Sequence, residues 1–244
     1  MAERNPWALG PSGGEHCSPE ERLDALRRAP FFADLDEGAL AEVHGIARAR
    51  GFVPAETVIS AGSPADALLI VASGALRWSR PTAEGKDVVL DLLGPGDVCG
   101  SLPLLGDARQ VDDVVGQTAG CVLVFGAPAF GAVLARYPSV TRRALETVAS
   151  RLEEAHEAIR RLSVATVEDR VAAVLGRLDL HLGRGAQGVR LPVTQEELAG
   201  MVGSTLETVN RALARLRRRG SIETGRGWVR VLRRDALTAG DGAG

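Results

Sequence analysis

The sequence of 244 residues has few cysteines, a single lysine and no long apolar run, and these features exclude several classes of protein. Its three cysteines are widely spaced and form neither a CxxC pair nor a four-ligand set, so no zinc or iron–sulfur site is expected. We expect Cys17, Cys99 and Cys121 to be buried or idle thiols. No apolar run approaches the roughly 20 residues that span a bilayer, and the N-terminus lacks the basic-then-apolar order of a signal peptide. These absences predict a cytoplasmic protein without a membrane partner.

Lysine is almost missing as well, because Lys86 is the only lysine among the 29 basic residues. The contents of hydrophobic residues, 45%, and of charged residues, 25%, are ordinary for a globular protein and exclude a disordered or collagen-like chain. The net charge of −2 conceals an asymmetry: residues 1–162 have a balance of −6 and residues 163–244 a balance of +4. A nucleic-acid partner is therefore expected at the basic C-terminal third.

The first half of the chain has the pattern of a β-roll. Residues 1–18 have no periodicity, and Ser18-Pro19-Glu20-Glu21 then predicts a capped helix start. From Gly51 to Phe125, short apolar runs alternate with turn residues every 8–12 positions. That spacing is typical of an antiparallel jelly roll.

A long helix follows the roll, with apolar residues that recur alternately three and four positions apart. This spacing is a heptad pattern, which favours a dimeric coiled coil. A helix that packs only on its own domain usually has a wider apolar face, of about three positions in seven. The predicted dimer seam consists of Leu145, Val148, Leu152, Ala155, Ile159 and Leu162.

The basic third contains two helix starts close together. Thr194-Gln195-Glu196-Glu197 and Ser204-Thr205-Leu206-Glu207 both have the form of a capping box, and Gly203 supplies the turn between the two helices. This arrangement predicts a helix-turn-helix. Two short strands, residues 221–224 and 228–231, then predict the wing of a winged helix.

The order of these parts resembles the bacterial family of the cyclic AMP receptor protein and the fumarate–nitrate reductase regulator. The resemblance extends from about Asp24 to Leu237. Its most specific motifs are residues 93–98 in the roll, and residues 194–199 and 207–211 in the helix-turn-helix. It implies an α+β fold with an N-terminal β-roll of the cyclic-nucleotide-binding type, a long dimerisation helix and a C-terminal winged helix-turn-helix.

The resemblance also implies a function. Family members are homodimeric transcription regulators whose sensor domain acts through the dimer helix on the DNA-binding domains. We therefore expect double-stranded DNA with a twofold-symmetric operator, a second copy of this chain and RNA polymerase as partners. The predicted divisions are residues 1–18 as a flexible tail, 19–136 as the sensor β-roll, 137–163 as the dimerisation helix, 164–237 as the winged helix-turn-helix and 238–244 as a tail.

On the family pattern, Glu207, Asn210 and Arg211 of the second helix point at bases. Glutamate can accept from cytosine N4, and arginine can bind guanine O6 and N7. Glu207 could also cap its own helix, instead of or together with a base contact. For Arg215, Arg217, Arg218 and Arg219, phosphate contact competes with a merely solvated helix end. The expected DNA-binding residues are Thr194, Gln195, Ser204, Thr205, Glu207, Thr208, Asn210, Arg211, Arg215, Arg218 and Arg226. Leu206 replaces an arginine of the cyclic AMP receptor protein, so a different operator is expected.

The candidate effector pocket departs from the family's nucleotide binders. Ser101 replaces the glutamate that holds the ribose, and Val111 replaces the arginine that holds the phosphate. Arg109, two residues earlier, could substitute because an even offset keeps the same side of a strand. Ala155-His156 replaces the Thr-Ser pair that meets the purine, so cyclic AMP is not expected to be the physiological ligand. The candidate pocket residues are Val98, Cys99, Gly100, Ser101, Leu102, Arg109, Val111, Asp112, Leu152, Ala155 and His156.

The sequence assigns no cofactor. His44, His156, Cys17 and Cys99 could each ligate haem, but their spacing selects none of them. No catalytic triad, metal-ligand cluster or phosphate-cradling loop is present, so an enzyme is not expected. The alternative to a DNA-binding regulator is a cyclic-nucleotide-type module that acts through protein–protein contacts, with the wing and helix-turn-helix as its surface.

Overall fold

A computed structural model describes residues 17–82, 87–101, 109–183 and 188–238. Leu102 and most of the two predicted tails lie outside the described residues. Within the described ranges, no helix is both long and apolar enough to cross a bilayer.

The N-terminal helices begin at capping residues. The Ser18 hydroxyl accepts from the backbone N–H of Glu21 at 3.1 Å, and the Glu21 carboxylate accepts from the backbone N–H of Ser18 at 2.8 Å. This capping box starts α1 (Pro19–Arg28), so the predicted helix start is confirmed. A short 3-10 helix (Pro30–Phe32) and α2 (Glu37–Ile46) follow.

The β-roll consists of two four-stranded antiparallel sheets. The strands are β1 (Arg48–Phe52), β2 (Thr57–Ile59), β3 (Ala67–Ser73), β4 (Leu76–Pro81), β5 (Asp87–Leu93), β6 (Val98–Ser101), β7 (Asp113–Gly116) and β8 (Gly120–Gly126). The strand orders are β1-β8-β3-β6 and β2-β7-β4-β5. One face of β3, with Leu68 and Ile70, packs under the helices, and the other, with Leu69 and Val71, packs between the sheets. The predicted jelly roll is confirmed.

A disulfide bond joins Cys17, just before α1, to Cys121 on β8. The two Cα atoms are 5.8 Å apart, and both side chains lie in the core beneath the helices. The expectation of idle thiols is therefore wrong for these two residues, because folding brings together cysteines that are 104 positions apart in sequence. Cys99 is a buried free thiol, and its burial raises its pKa to about 12.

Two helices, α3 (Ala127–Arg136) and α4 (Pro138–Val164), lead from the roll to the C-terminal domain. The next helix, α5 (Val167–Leu182), packs in the core of the C-terminal domain and belongs to it. The start of α4 is held on the N-terminal segment because Arg142 and Arg143 both bind the carboxylate of Asp34. Past this anchor, α4 leaves its predicted seam in solvent: Leu145 is 71% exposed, and Val148, Leu152, Ile159 and Leu162 are each more than half exposed.

The C-terminal domain is a winged helix-turn-helix, as predicted. Its elements are β9 (Arg190–Leu191), α6 (Gln195–Met201), α7 (Leu206–Arg218), β10 (Ile222–Gly225), β11 (Trp228–Val231) and α8 (Asp235–Thr238). The small sheet has the order β10-β11-β9. Gly203 forms the turn between α6 and α7 with a φ of +58°, a conformation that glycine adopts without a steric penalty.

Candidate nucleic-acid interface and effector cavity

The first helix of the helix-turn-helix is positioned by its capping box. The carboxylate of Glu197 accepts from the backbone N–H of Thr194 at 2.7 Å, and the Thr194 hydroxyl accepts from the backbone N–H of Glu197 at 3.1 Å. Leu198 and Ala199 of α6 are buried in the same core as Val209 of α7. The second helix is therefore supported along its inner face and presents its outer face to solvent.

The outer face of α7 brings together the three residues expected to read bases. Glu207 is 81% exposed, Arg211 is 62% exposed, and Asn210 is exposed beside them. The guanidinium of Arg211 lies 3.2 Å from the Glu207 carboxylate and donates to the Thr208 hydroxyl at 3.3 Å. These contacts place the two charged side chains next to each other on the exposed face.

The cap of α7 differs from the predicted one. Thr205 is the N-cap, and its hydroxyl accepts from the backbone N–H of Thr208 at 3.3 Å, whereas a cap at Ser204 was expected. The expected capping box is therefore wrong, because the helix starts one residue later and Glu207 occupies its second position rather than its third. The carboxylate of Glu207 binds Arg211 instead, so its alternative role as a cap is not observed.

Leu206 was not among the expected site residues, yet it lies at the same end of α7. It is the first residue of the helix, at the edge of the buried face, and its side chain remains 45% exposed. An exposed leucine beside Glu207 and Asn210 adds an apolar group to a polar surface. The replacement of a family arginine by Leu206, noted in the sequence, is the signal that points to this position.

The basic residues at the end of α7 fall into two groups. Arg215 and Arg219 both bind the largely buried carboxylate of Glu168 on α5. Arg215 therefore joins α7 to α5, and any phosphate contact would compete with that ion pair. Arg218 is exposed, and no carboxylate of the described residues lies within ion-pair distance of it. Arg226 is exposed at the tip of the wing.

The other expected DNA-binding residues lie around the turn. Gln195 and Thr205 are exposed, whereas Ser204 and Thr208 are half-buried. The Thr194 hydroxyl donates to Glu197 at 2.9 Å, so it serves the start of α6.

The β-roll contains a cavity of about 200 Å³. Four expected residues line it: Gly100, Ser101, Val111 and Asp112. Among the described residues, four more line it that were not expected: Ile59, Trp78, Gln110 and Val114. The position-by-position resemblance identified the first group. Ile59 and Trp78 face the cavity because β2 and β4 both pair with β7, whereas Gln110 and Val114 are close in sequence to the expected residues Val111 and Asp112.

Asp112, the charged residue in the described part of the lining, is already paired. Asp112 forms a two-point ion pair with Arg80, with distances of 2.7 and 3.3 Å. Val111, at the position where a phosphate-binding arginine is expected, is 52% exposed at the cavity. Arg109 does not substitute for it, because the Arg109 guanidinium donates to the carbonyl of Gly62 at 2.6 Å and lies outside the lining.

Several other expected pocket residues lie elsewhere. Val98 and Cys99 are buried in the two cores on opposite sides of their sheet. Leu152, Ala155 and His156 are exposed on α4 and do not line the cavity. Val98 and Cys99 point to opposite sides because side chains alternate along a strand. Leu152, Ala155 and His156 lie on the face of α4 that does not contact the roll.

Arg151 of α4 contacts the roll near the cavity, although it was not among the expected pocket residues. Its guanidinium donates to the carbonyl of Val98 at 2.7 Å and lies 5.6 Å from the ring centroid of Trp78. Trp78 lines the cavity, so Arg151 is a direct contact between the long helix and the wall of the cavity.

Comparison with known proteins agrees with both halves of this description. A cyclic nucleotide-binding domain model matches residues 49–137, and a Crp-like helix-turn-helix domain model matches residues 169–239. The cyclic AMP receptor protein of Thermus thermophilus is 32% identical over 170 residues, which cover 70% of this chain and 77% of that protein. The chain belongs to the CRP/FNR family of transcription regulators.

A further relative and a solved structure are also similar to this chain. The CRP-like cAMP-activated global transcriptional regulator of Mycobacterium tuberculosis is 29% identical over 211 residues, which cover 85% of this chain and 91% of that protein. The solved structure of FixK2 from Bradyrhizobium japonicum has a TM-score of 0.69 at 22% identity, covers 82% of this chain and 99% of that chain, and supports the fold.

In this CRP/FNR protein the DNA-binding domain packs directly on the β-roll of its own chain. Leu92 of β5 is buried in the core of the winged helix-turn-helix. Around it, Arg177 binds Asp91, and His181 lies 3.6 Å from Asp97. Hydrogen bonding to Asp97 raises the pKa of His181, whereas burial raises the pKa of Asp91 in spite of the neighbouring Arg177.

Proposed function

We propose that the protein is a sequence-specific DNA-binding transcription regulator that acts as a homodimer and whose effector is not cyclic AMP. The observation that carries the proposal is the exposed face of α7, where Glu207, Asn210 and Arg211 lie side by side near the start of a supported helix. These side chains can pair with cytosine N4, with adenine N6 and N7, and with guanine O6 and N7.

The surroundings of this face suit a duplex. The N-terminal half of a recognition helix enters the major groove, and the wing and helix ends contact phosphates. Arg218 and the wing residue Arg226 are exposed and supply positive charge on the same domain. Arg211 lies 3.2 Å from Glu207, so an acceptor and a donor for base edges are neighbours on this face.

The exposed seam of α4 supports the homodimer. Its leucines, valine and isoleucine recur at heptad spacing and are left in solvent by a single chain. Intrahelical ion pairs such as Glu157 with Arg160, at 2.7 Å, flank the stripe and keep its borders polar. A second α4 packed in parallel would cover the stripe and bring two recognition helices into twofold symmetry.

The cavity argues against cyclic AMP. An anionic phosphodiester in a desolvated site needs a charge-assisted partner. Val111 supplies none, and Arg80 is already bound at two points by Asp112. Although the Mycobacterium tuberculosis relative is named as cAMP-activated, the described lining of this cavity is mostly apolar, with an aromatic wall at Trp78.

The remaining parts of the proposal follow from DNA binding. The protein would work in the cytoplasm, with RNA polymerase as a further partner and without an enzymatic activity of its own. The relatives of this chain are named as transcription regulators, which supports that assignment.

A selection experiment tests the DNA-binding part. Purified protein is incubated with random duplexes, and the bound fraction is sequenced after repeated rounds. We expect a twofold-symmetric site with half-sites about one helical turn apart, and an affinity that falls steeply with salt. Enrichment of no sequence, with binding equal on random DNA, would contradict the proposal.

Calorimetry tests the effector part. Wild-type protein titrated with cyclic AMP should give no binding at micromolar concentration, and Arg80→Ala should not change that result. Micromolar binding by the wild type that also strengthens the DNA shift would contradict the exclusion of cyclic AMP.

A further inference from the structure

The Cys17–Cys121 bond connects the segment that precedes α1 to the middle of the β-roll. Cys121 lies on β8, where it pairs with Gly51 of β1 and with Ser73 of β3. Cys17 also accepts, through its carbonyl, a hydrogen bond of 3.1 Å from the Arg22 side chain. The bond therefore fixes the first helix onto the sheet at the helix's N-terminal end.

A bond of this kind is unusual for a protein with the function proposed above, on which this argument rests. A DNA-binding regulator works in a reducing compartment, where disulfides are rare and those that occur are usually transient and regulatory. Cys17 lies one residue before the N-cap of a ten-residue helix. Opening of that end exposes the bond without unfolding the roll, since helix ends open at low free-energy cost.

The C-terminal end of α1 contacts the turn between β5 and β6. The same turn contacts α5 of the DNA-binding domain. A Cβ atom added to Gly96, in the turn between β5 and β6, would lie 2.6 Å from the Cβ of Arg28 in α1. A Cβ atom added to Gly94 would lie 2.6 Å from a methyl carbon of Leu182 in α5. Residues 94–97 are thus in close contact with α1 on one side and α5 on the other, with no space for a side chain at either glycine.

The same turn also has a polar contact with α5. The Asp97 carboxylate lies 3.6 Å from His181 and accepts from the backbone N–H of Gly94 at 2.8 Å. A displacement of α1 that moves Asp97 therefore changes a contact of the DNA-binding domain.

We propose that Cys17 and Cys121 are a reversible redox pair whose state determines how firmly the DNA-binding domain is docked on the sensor roll. In the oxidation step, two thiols and one hydrogen peroxide give the disulfide and two waters. In the reverse step, a cellular dithiol reduces the bond by two successive exchanges and itself becomes a disulfide. The bonded form fixes α1 and the turn at residues 94–97, and so favours docking.

Cys99 is not part of this pair. It is a free thiol buried in the core between the two sheets, whereas Cys17 and Cys121 lie together in the core beneath the helices. It supplies a matched control, since Cys99→Ala leaves the proposed pair intact.

Hydrogen–deuterium exchange of the full chain tests the proposal without DNA. Wild-type protein is measured after hydrogen peroxide and after dithiothreitol, with intact mass used to show a difference of two hydrogens between the forms. We expect reduction to increase exchange on the order of tenfold in three segments: α1, residues 93–98 and the end of α5 near residues 177–182. Cys99→Ala should respond like the wild type, and Cys17→Ser should behave as the reduced form under both conditions.

The outcomes that overturn the proposal are distinct. If peroxide does not form the bond, Cys17 and Cys121 are not a redox pair. If reduction increases hydrogen exchange in α1 alone, the bond does not control the docking of the DNA-binding domain. Wild-type protein alone decides both points, even if Cys17→Ser does not fold. Because no DNA is used, these failures are separate from a failure to bind an operator.

Discussion

Gln117 donates from its side-chain amide across the contact between the β-roll and the helix-turn-helix, and its Nε2 lies 3.0 Å from one carboxylate oxygen of Glu197. The same nitrogen also donates to the carbonyl of Pro192 at 2.8 Å. Glu197 is the buried residue that completes the cap of α6 with Thr194. One carboxylate therefore both starts the first helix of the motif and holds it on the sensor domain.

Gln117→Glu should destabilise the protein because it replaces the donor with a second carboxylate next to Glu197. We expect a loss of roughly 1–3 kcal/mol in the free energy of unfolding, measured by urea denaturation at fixed protein concentration. Gln117→Ala, which removes the donor without adding charge, should lose less. Equal stability of Gln117→Glu and the wild type would show that this contact does not form.

The seam of α4 makes the oligomeric state testable. Leu152→Glu together with Ile159→Glu would place like charges in an apolar interface, which costs several kcal/mol. We expect sedimentation to show monomers for this variant and dimers for the wild type. Glu153→Ala, next to the seam but not on it, should remain dimeric. An unchanged dimer in the double variant would contradict the coiled-coil assignment.

Periodicity in the sequence was sufficient to predict the main elements. The long helix α4, the Thr194 capping box and the turn at Gly203 are each specified by residues a few positions apart. The structure contains the helix, the capping box and the turn. β1 was missed because its sequence, RARGF, has no apolar run, and the strand exists through its pairing with β8.

The contacts between distant segments could not be predicted from the sequence. The Cys17–Cys121 bond, the burial of Leu92 in the other domain and the contact of Gln117 with Glu197 join residues far apart in the chain. No local pattern specifies such pairs. For the same reason, the resemblance predicted that Arg109 lines the cavity, whereas its guanidinium donates to the carbonyl of Gly62.

Leu206 offers a test of apolar base readout. Its exposed side chain at the start of α7 suits a thymine methyl group, which accepts apolar contact in the major groove. Replacing each thymine of the selected half-site in turn by uracil removes only that methyl group. At one position, we expect a loss of about 0.8 kcal/mol per half-site, which is roughly fourfold in affinity. Leu206→Ala should be insensitive to the replacement; equal sensitivity of both proteins would contradict the contact.

His181 should make stability depend on pH. Its pKa is raised by Asp97, so the folded protein favours the charged imidazole. This contribution is complete below the ordinary histidine value of about 6.5 and is lost as the pH rises through the raised pKa. The stability advantage of the wild type over His181→Gln, measured by urea denaturation, should therefore shrink with rising pH. An advantage that is constant with pH would contradict the ion pair.

The comparison of Arg211→Ala with Arg218→Ala on selected and random duplexes tests the central claim most directly. Arg211 lies beside Glu207 on the face proposed to read bases, whereas Arg218 lies at the other end of α7. We predict that Arg211→Ala loses about 1–3 kcal/mol per half-site on the selected site, relaxes specificity at one G·C pair and changes random binding little. Arg218→Ala should weaken binding to both duplexes alike and reduce its salt dependence. Equal losses on selected and random DNA for Arg211→Ala would contradict sequence reading by this helix.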